Sequence, residues 1–227
     1  MAVPKHKRPK SKQGKKKIYL SVLSPRQIKL LKKLGFLKKY GFYLAGGTGL
    51  ALQIGHRTSL DFDFYTEKKF DPDKLYNALK SKFKKISLLQ KAEGTLWVKI
   101  DRTVVSFFEY PYPLIFPPIK FDAFPPIASK EDIAAMKIIA ISTRGTRRDF
   151  IDIYFLLQKI SLKEIFQFIK KKYPGFNVYV GLTGLTYFVD AEKEEKRKYF
   201  LLKEVSWKKV KKFLIEKVRE YKKQWLK

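Results

Sequence analysis

The stretch that decides the fold is YLAGGTGLALQIGHRTSLDFDFY, Tyr43 to Tyr65. Its end, SLDFDFY, alternates with period two. That predicts a strand with Leu60, Phe62 and Phe64 on one face and Asp61 and Asp63 on the other. Aspartate is depleted in strand interiors, and on a shared face the two α-carbons would stand ~6.6–7 Å apart. Carboxylates that close repel each other unless a cation neutralises them. Together they can hold one or two divalent cations, and magnesium takes hard oxygen ligands that it shares with phosphates. Taken alone, the pair is a weak signal that reads more readily as two ordinary acids on a solvent-facing strand.

The residues just upstream change that balance. FYLA, Phe42 to Ala45, reads as a short buried strand, and after Gly46-Gly47 the segment TGLALQIG reads as a two-turn helix closed by Gly55. A strand, Gly-Gly-Thr and a helix in that order bring backbone N–H groups up to a phosphate at the helix N-terminus, and Thr48 adds a hydroxyl donor there. The alternative is a tight turn in which glycine supplies a positive φ. No Gly-Lys-Ser/Thr follows, so this is not a Walker A loop. Asp61 lies 14 positions after Gly47, enough for the helix to cross and return the chain beside the first strand. Phosphate cradle and carboxylates then converge on one pocket.

Outward from this centre, Ser24-Pro25 reads as a helix cap ahead of PRQIKLLKKLGFLKKYG, and Asp71 caps DPDKLYNALKSKF. TLWVKI and TVVSFFEY, joined by Asp101-Arg102, read as an antiparallel hairpin. The proline-rich PYPLIFPPIKFDAFPPIA then separates a sheet-bearing lobe, residues 18–124, from a helical lobe, residues 125–227. In the second lobe Ser129 and Asp132 form a predicted capping box for SKEDIAAMKIIAIS. RRDFIDIYFLLQK and LKEIFQFIKKKYPG follow as helices. The last helix carries an apolar stripe of Trp207, Val210, Phe213, Leu214, Val218, Tyr221 and Trp225. Residues 1–17 read as a basic disordered tail.

Composition limits the chemistry. The chain has 227 residues with no cysteine and two histidines, which excludes disulfides, thiolate zinc sites and a cysteine nucleophile. No apolar run reaches the ~18 residues of a membrane span, and the basic start lacks the apolar core of a secretory signal, so a cytoplasmic location is expected. Lys and Arg number 50 against 21 Asp and Glu, a net charge of +29, which favours a polyanionic partner such as nucleic acid. Within the helical lobe, Lys137 is the one charge between Ile133 and Ile141. A lysine there is buried and needs a partner: a triphosphate on one reading, Asp149 or Asp152 as an ion pair on the other. Asp149 and Asp152 share a helix face, although Asp149 also suits the helix dipole. Arg144, Arg147 and Arg148 suit a phosphate grip or a solvated loop alike, and His56 and Arg57 are expected to play supporting roles at most.

LAGGTGLALQIGHRTSLDFDFY and AAMKIIAISTRGTRRDFIDIYFLL, with YPYP at 110–113 and TYFVDAE at 186–192, resemble the AbiEii/AbiGii-type toxin family of nucleotidyltransferases within the DNA polymerase β-like superfamily. The likeness spans roughly residues 25–195 and implies an α+β architecture, a nucleotidyltransferase-fold mixed sheet followed by a helical C-terminal lobe. It also implies transfer of NMP from an NTP with Mg2+ or Mn2+, an RNA acceptor that includes tRNA in relatives, and a cognate antitoxin. By the same resemblance Gly46, Gly47 and Thr48 grip phosphate and Asp61 and Asp63 hold metal. Lys137 matches the family's helical lysine, and Arg147, Asp149 and Asp152 its Arg and Asp pair. Asp61, Asp63, Lys137 and Asp152 are thus the expected catalytic set, and Lys137, Arg147 and Asp149 contact the nucleotide. The superfamily's third carboxylate has no clear match. Ser106 occupies the expected place, leaving Asp101 or Glu109 as substitutes, although strand parity sets Glu109 opposite Ser106. The rival readings are a weakly active or inactive member that grips RNA through its basic surface, and a transferase acting on a protein or small-molecule hydroxyl.

Overall fold

A five-stranded mixed sheet in the order β1-β2-β5-β4-β3 organises the first part of the chain. Its strands are β1 (Tyr43–Leu44), β2 (Phe62–Thr66), β3 (Ile86–Ala92), β4 (Thr95–Ile100) and β5 (Thr103–Glu109). β2 and β5 run parallel, and the other neighbours are antiparallel. This computed structural model describes residues 18–193 and 200–225, with the side chain of Trp225 left aside. The lysine-rich segment 1–17 and the Trp225 end of the predicted stripe therefore lie outside the described residues.

Local signals explain most elements. Ser24 caps α1 (Pro25–Lys33) with Gln27 completing the reciprocal box, and Asp71 caps α3 (Pro72–Lys80) through the Asp73 and Lys74 amides. Between them, α2 (Gly46–Ile54) ends where Gly55 turns left-handed at φ 62. Period-two burial along β2, β4 and β5 turns Phe62, Phe64, Leu96, Val98, Val105 and Phe107 into a core shared with Leu30, Leu34, Leu75 and Leu79. The opposite face presents Asp63, Tyr65, Trp97, Ser106 and Phe108. Two expectations need correction here. β2 starts at Phe62, so Asp61 precedes the strand and Leu60 is exposed instead of sharing the buried face. β3, assigned no element from sequence, is an edge strand exposed on both faces with an irregularity between Leu88 and Gln90. Such a strand carries no alternation to read.

The helices α4 (Lys130–Arg144), α5 (Arg147–Leu156), α6 (Leu162–Lys172), α7 (Val178–Gly184), α8 (Val189–Lys193) and α9 (Trp207–Trp225) surround a second apolar cluster. Ile133, Ile138, Phe150, Ile153 and Ile165 form its middle, and Val210, Leu214 and Val218 seat α9 on it. The two clusters meet at β1 and α2: Tyr43, Leu50 and Ile54 belong to the helical one, Leu44, Ala51 and Leu52 to the sheet one. The proline-rich crossing is pinned to the sheet, where Ile127 bridges both Leu44 and Ile119. At its far end Ser129 caps α4, but the Asp132 carboxylate takes the Ser129 hydroxyl, the Ile115 and Phe116 amides and the fully buried Lys172 ammonium (3.0 Å). The predicted capping box is thus half present, because four donors outcompete the cap backbone for that carboxylate.

Candidate active site

Ser24, Asp71, Ser129, Thr146, Ser161 and Asn177 each cap a helix with a side-chain oxygen; Ala45, ahead of α2, has none to offer. The first amides of α2 therefore lack intrahelical and side-chain partners, and Gly46, Gly47 and Thr48 open onto a cavity of about 480 Å³. Asp61 and Asp63 line the same cavity, as do Lys137, Arg144, Arg148 and Asp149 from α4 and α5. Residues some ninety positions apart in sequence thus line one cavity. Gly46 sits at φ +59, and a β-carbon there would stand 2.5 Å from the Asp63 carboxylate. Glycine is thus required both for the turn and for the approach of that acid. At Gly47 a β-carbon would collide with the Arg57 guanidinium.

Beneath the cavity lies a buried charge cluster centred on Asp152, which is 0% exposed. Its carboxylate accepts Arg57 Nε at 2.7 Å and Arg57 Nη2 at 2.9 Å, His56 Nε2 lies at 2.7 Å, and Lys137 Nζ is 2.8 Å away. Lys137 also donates to Asp149 at 2.6 Å, and Asp149 accepts the Thr146 hydroxyl at 2.7 Å. Burial opposes ionisation of both acids. For Asp152 the Arg57 and Lys137 charges more than offset it and hold the carboxyl well below the usual range; for Asp149, Lys137 does the same. Burial likewise works against the Lys137 ammonium, but Asp149 and Asp152 raise it above the ordinary value. His56 is pushed below its ordinary value by burial, despite the bond to Asp152. Two cations and two carboxylates thus cancel, and the neutral imidazole completes the set.

The loop carrying His56 and Arg57 is held in turn by a distant part of the chain. Thr58 N–H donates to the Phe200 carbonyl (2.9 Å), Leu202 N–H to the His56 carbonyl (2.9 Å), and Lys203 Nζ to the Ile54 carbonyl (2.9 Å).

Several predicted site residues are placed differently from expectation. Asp152 does not line the cavity; it orients Lys137 and Arg57 from below. Arg147 turns away, donating to the Ala191 carbonyl and lying 5.2 Å from the Trp207 ring, because the adjacent helical position, Arg148, takes the cavity side. The Thr48 hydroxyl is not available to a phosphate: it donates to the Asp61 carbonyl and contacts Ser59 Oγ (2.6 Å), fixing the approach to β2. Asp101, at φ 53 in the exposed hairpin turn, and Glu109, packed beside Gly94, stay outside the cavity. Ser106 instead stands in register with Asp63. Arg57 is buried against Asp152, a placement that nothing local to an arginine after a helix marks.

A divalent cation fits what is present. Burial pushes the Asp63 carboxyl up to about 6; Lys137 opposes this, Asp61 adds to it, and Arg148 and Arg144 oppose it. A cation between Asp61 and Asp63 would remove the conflict. Among the described residues no group of three or more His, Asp or Glu is placed to hold a metal, so a cation held by Asp61 and Asp63 would draw its other ligands from a substrate's phosphates or water. Arg148 Nε, buried without a hydrogen-bond partner, is a second atom that an anion would satisfy.

An uncapped helix start, one carboxylate on the open sheet face with a second just before the strand, and a basic wall around one cleft suit phosphoryl or nucleotidyl transfer. The fold agrees. A candidate nucleotidyltransferase from H. pylori superposes with a TM-score of 0.57 at 18% identity, covering 89% of this chain and 97% of that one. MenT4, a nucleotidyltransferase toxin of Mycobacterium tuberculosis H37Rv, gives 0.51 at 13% identity over 85% of this chain and 81% of that one. The family described as nucleotidyl transferase AbiEii toxin, Type IV TA system, matches residues 34–225. The chain belongs to this family and is a nucleotidyltransferase. An uncharacterized protein of Aquifex aeolicus (strain VF5) is 40% identical over 185 residues, 79% of this chain and 87% of that protein. Among the described residues no helix is long and apolar enough to cross a membrane.

Proposed function

We propose that the protein transfers NMP from an NTP to the hydroxyl of an RNA, with tRNA as the acceptor, and that it is the cytoplasmic toxin of a pair with a cognate antitoxin. The observation that carries this reading is the convergence, in one cavity, of the uncapped start of α2, Asp61 and Asp63, and the unpartnered Arg148 Nε. A net charge of +29 adds a polyanionic partner.

In this reading the Gly46 and Gly47 amides and the α2 dipole receive phosphate oxygens, while Arg148 and Arg144 offset charge on the triphosphate. Lys137, fixed by Asp149 and Asp152 within a cluster of balanced charge, sets its ammonium at the cavity wall as a donor that cannot swing away. Asp61 and Asp63 would hold Mg2+ or Mn2+, which withdraws charge from the α-phosphate when bound. The acceptor oxygen bonds to the α-phosphorus as the α–β P–O bond breaks; that electron pair leaves with pyrophosphate, and the hydroxyl proton passes to solvent. Catalysis is then mainly positioning and electrostatics. Ser106 in the place of a third carboxylate favours slow turnover, since one fewer acid is available near the entering hydroxyl.

The test is transfer of label from each α-labelled NTP to total tRNA with Mg2+, beside Asp61→Ala and Asp63→Ala. Label on RNA that vanishes in both variants is expected. Label that persists in them, or that goes to polypeptide instead of RNA, would overturn the reading.

A further inference from the structure

The open face of the sheet carries a row of side chains with no part in holding phosphate. Asp63 is in register with Ser106, Ser106 with Trp97, and Trp97 with Gln90. Trp97 therefore lies two strands from Asp63, about 10 Å. Its half-buried indole lines the cavity beside Leu89, Val104 and Phe108. Phe108 meets it edge-on (6.1 Å, 81°) and stacks with Tyr65 (5.3 Å, 28°), so three aromatic rings run in a band across the face. Trp97 Nε1 is buried without a hydrogen-bond partner, whereas a buried indole N–H normally has one.

The direction of the reaction says what belongs there. β1 and β5 flank β2 on opposite sides, and α2 follows directly from β1. If pyrophosphate leaves toward the start of α2, in-line displacement brings the entering hydroxyl from the other flank, over β5 and β4. That flank is the Ser106–Trp97 side. We propose that Trp97, backed by Phe108 and Leu89, is the subsite for the terminal nucleobase of a single-stranded RNA acceptor, setting that nucleotide's hydroxyl beside Asp61 and Asp63. Aromatic rings stack any base. The charge beside the band suits the attached backbone: exposed Lys99 lies two positions from Trp97 on the same strand face. A polypeptide acceptor would need neither the stacked rings nor the lysine beside them. The proposal rests on the RNA-directed reading above and names the site by which that RNA is held.

The test uses the full chain and a labelled single-stranded RNA oligonucleotide with a free 3′ hydroxyl. Binding is followed by fluorescence anisotropy for wild type, Trp97→Ala, Trp97→Phe and Asp61→Ala, with KM for tRNA and for NTP measured separately. Losing one stacked base should weaken RNA binding in Trp97→Ala by roughly tenfold or more and raise KM for tRNA in step, leaving KM for NTP in place. Trp97→Phe should recover most of the binding, and Asp61→Ala should bind RNA while transferring nothing. Unchanged RNA affinity in Trp97→Ala, or a rise confined to KM for NTP, would overturn the assignment. Absence of transfer by the wild type, with Trp97-dependent binding intact, would instead count against the catalytic reading and leave the subsite standing.

Discussion

Replacing Asp152 by asparagine keeps the shape of the cluster and removes one charge. In the native protein Arg57 and Lys137 face Asp149 and Asp152; in the variant two cations face Asp149 alone, at a position with no access to water. Breaking a buried, hydrogen-bonded ion pair by removing one partner costs ~3–5 kcal/mol, and for a chain of this size 1 kcal/mol moves Tm by ~2–4 °C. The expected fall in Tm is about 6–20 °C, read by circular dichroism at pH 7, with a matching drop in denaturant midpoint. Asp149→Asn, whose side chain is 11% exposed at the cavity edge, should cost less. The pH dependence has a definite sign. Arg57 and Lys137 outweigh burial and depress the Asp152 carboxyl. Its contribution is therefore complete above the unfolded carboxylate value of ~3.9 and is lost as pH falls through the lower folded value. The penalty of the substitution should be full at pH 7 and shrink in strong acid. A loss under ~1 kcal/mol at pH 7, or one equal to that of Asp149→Asn, would refute the view that Asp152 holds the cluster.

Gly46→Ala should cost ~1–2 kcal/mol for the left-handed backbone alone and displace Asp63, so transfer should fall far more than stability; equal losses of both would count against the close approach. His56 is depressed by burial, so it favours the folded state above the unfolded value of ~6.5 and weakens it as pH drops below that. The difference in Tm between wild type and His56→Asn should accordingly change between pH 7.5 and 5.5, and a constant difference would exclude the buried neutral ring. Ser106→Asp places a carboxylate in register with Asp63: calorimetry should show tighter Mn2+ binding and lower stability of the metal-free chain, and unaltered Mn2+ affinity would show that position 106 does not reach the metal. RNA binding should weaken steeply with salt, by ~10³-fold or more between 50 and 200 mM if 6–10 phosphates are contacted; a flat response would remove the electrostatic part of the reading.

What the chain discloses in one dimension follows from how local each determinant is. Caps such as Ser24 and Asp71, the alternation of Phe62 and Phe64 and the Asp101-Arg102 turn depend on neighbours a few residues away, and each was legible. Spacing alone pointed to a pocket shared by Gly46 and Asp63 and to a partner for Lys137, whereas a common cavity for all of them with Asp149 was an expectation from the family resemblance. β3 was not legible, because an edge strand wet on both faces has no burial pattern. The places of Arg57 and Arg147 were not legible for a similar reason. Whether an arginine ends over Trp207 or under a glycine turn is set by packing between elements distant in sequence.

The backbone bonds from Phe200 and Leu202 to the His56–Thr58 loop have a consequence for the order in which the molecule is made. Chains emerge from the ribosome N-terminus first, at ~5–20 residues per second. The glycine turn, both aspartates and the α4 lysine are all outside before the segment that fastens the Arg57 loop has been translated. A nascent chain thus carries every residue proposed to do chemistry without the clasp that seats Arg57 under Gly47 and against Asp152. Seating of the Arg57 loop is thereby tied to synthesis of the segment around residue 200, well after the glycine turn, both aspartates and the α4 lysine have been made.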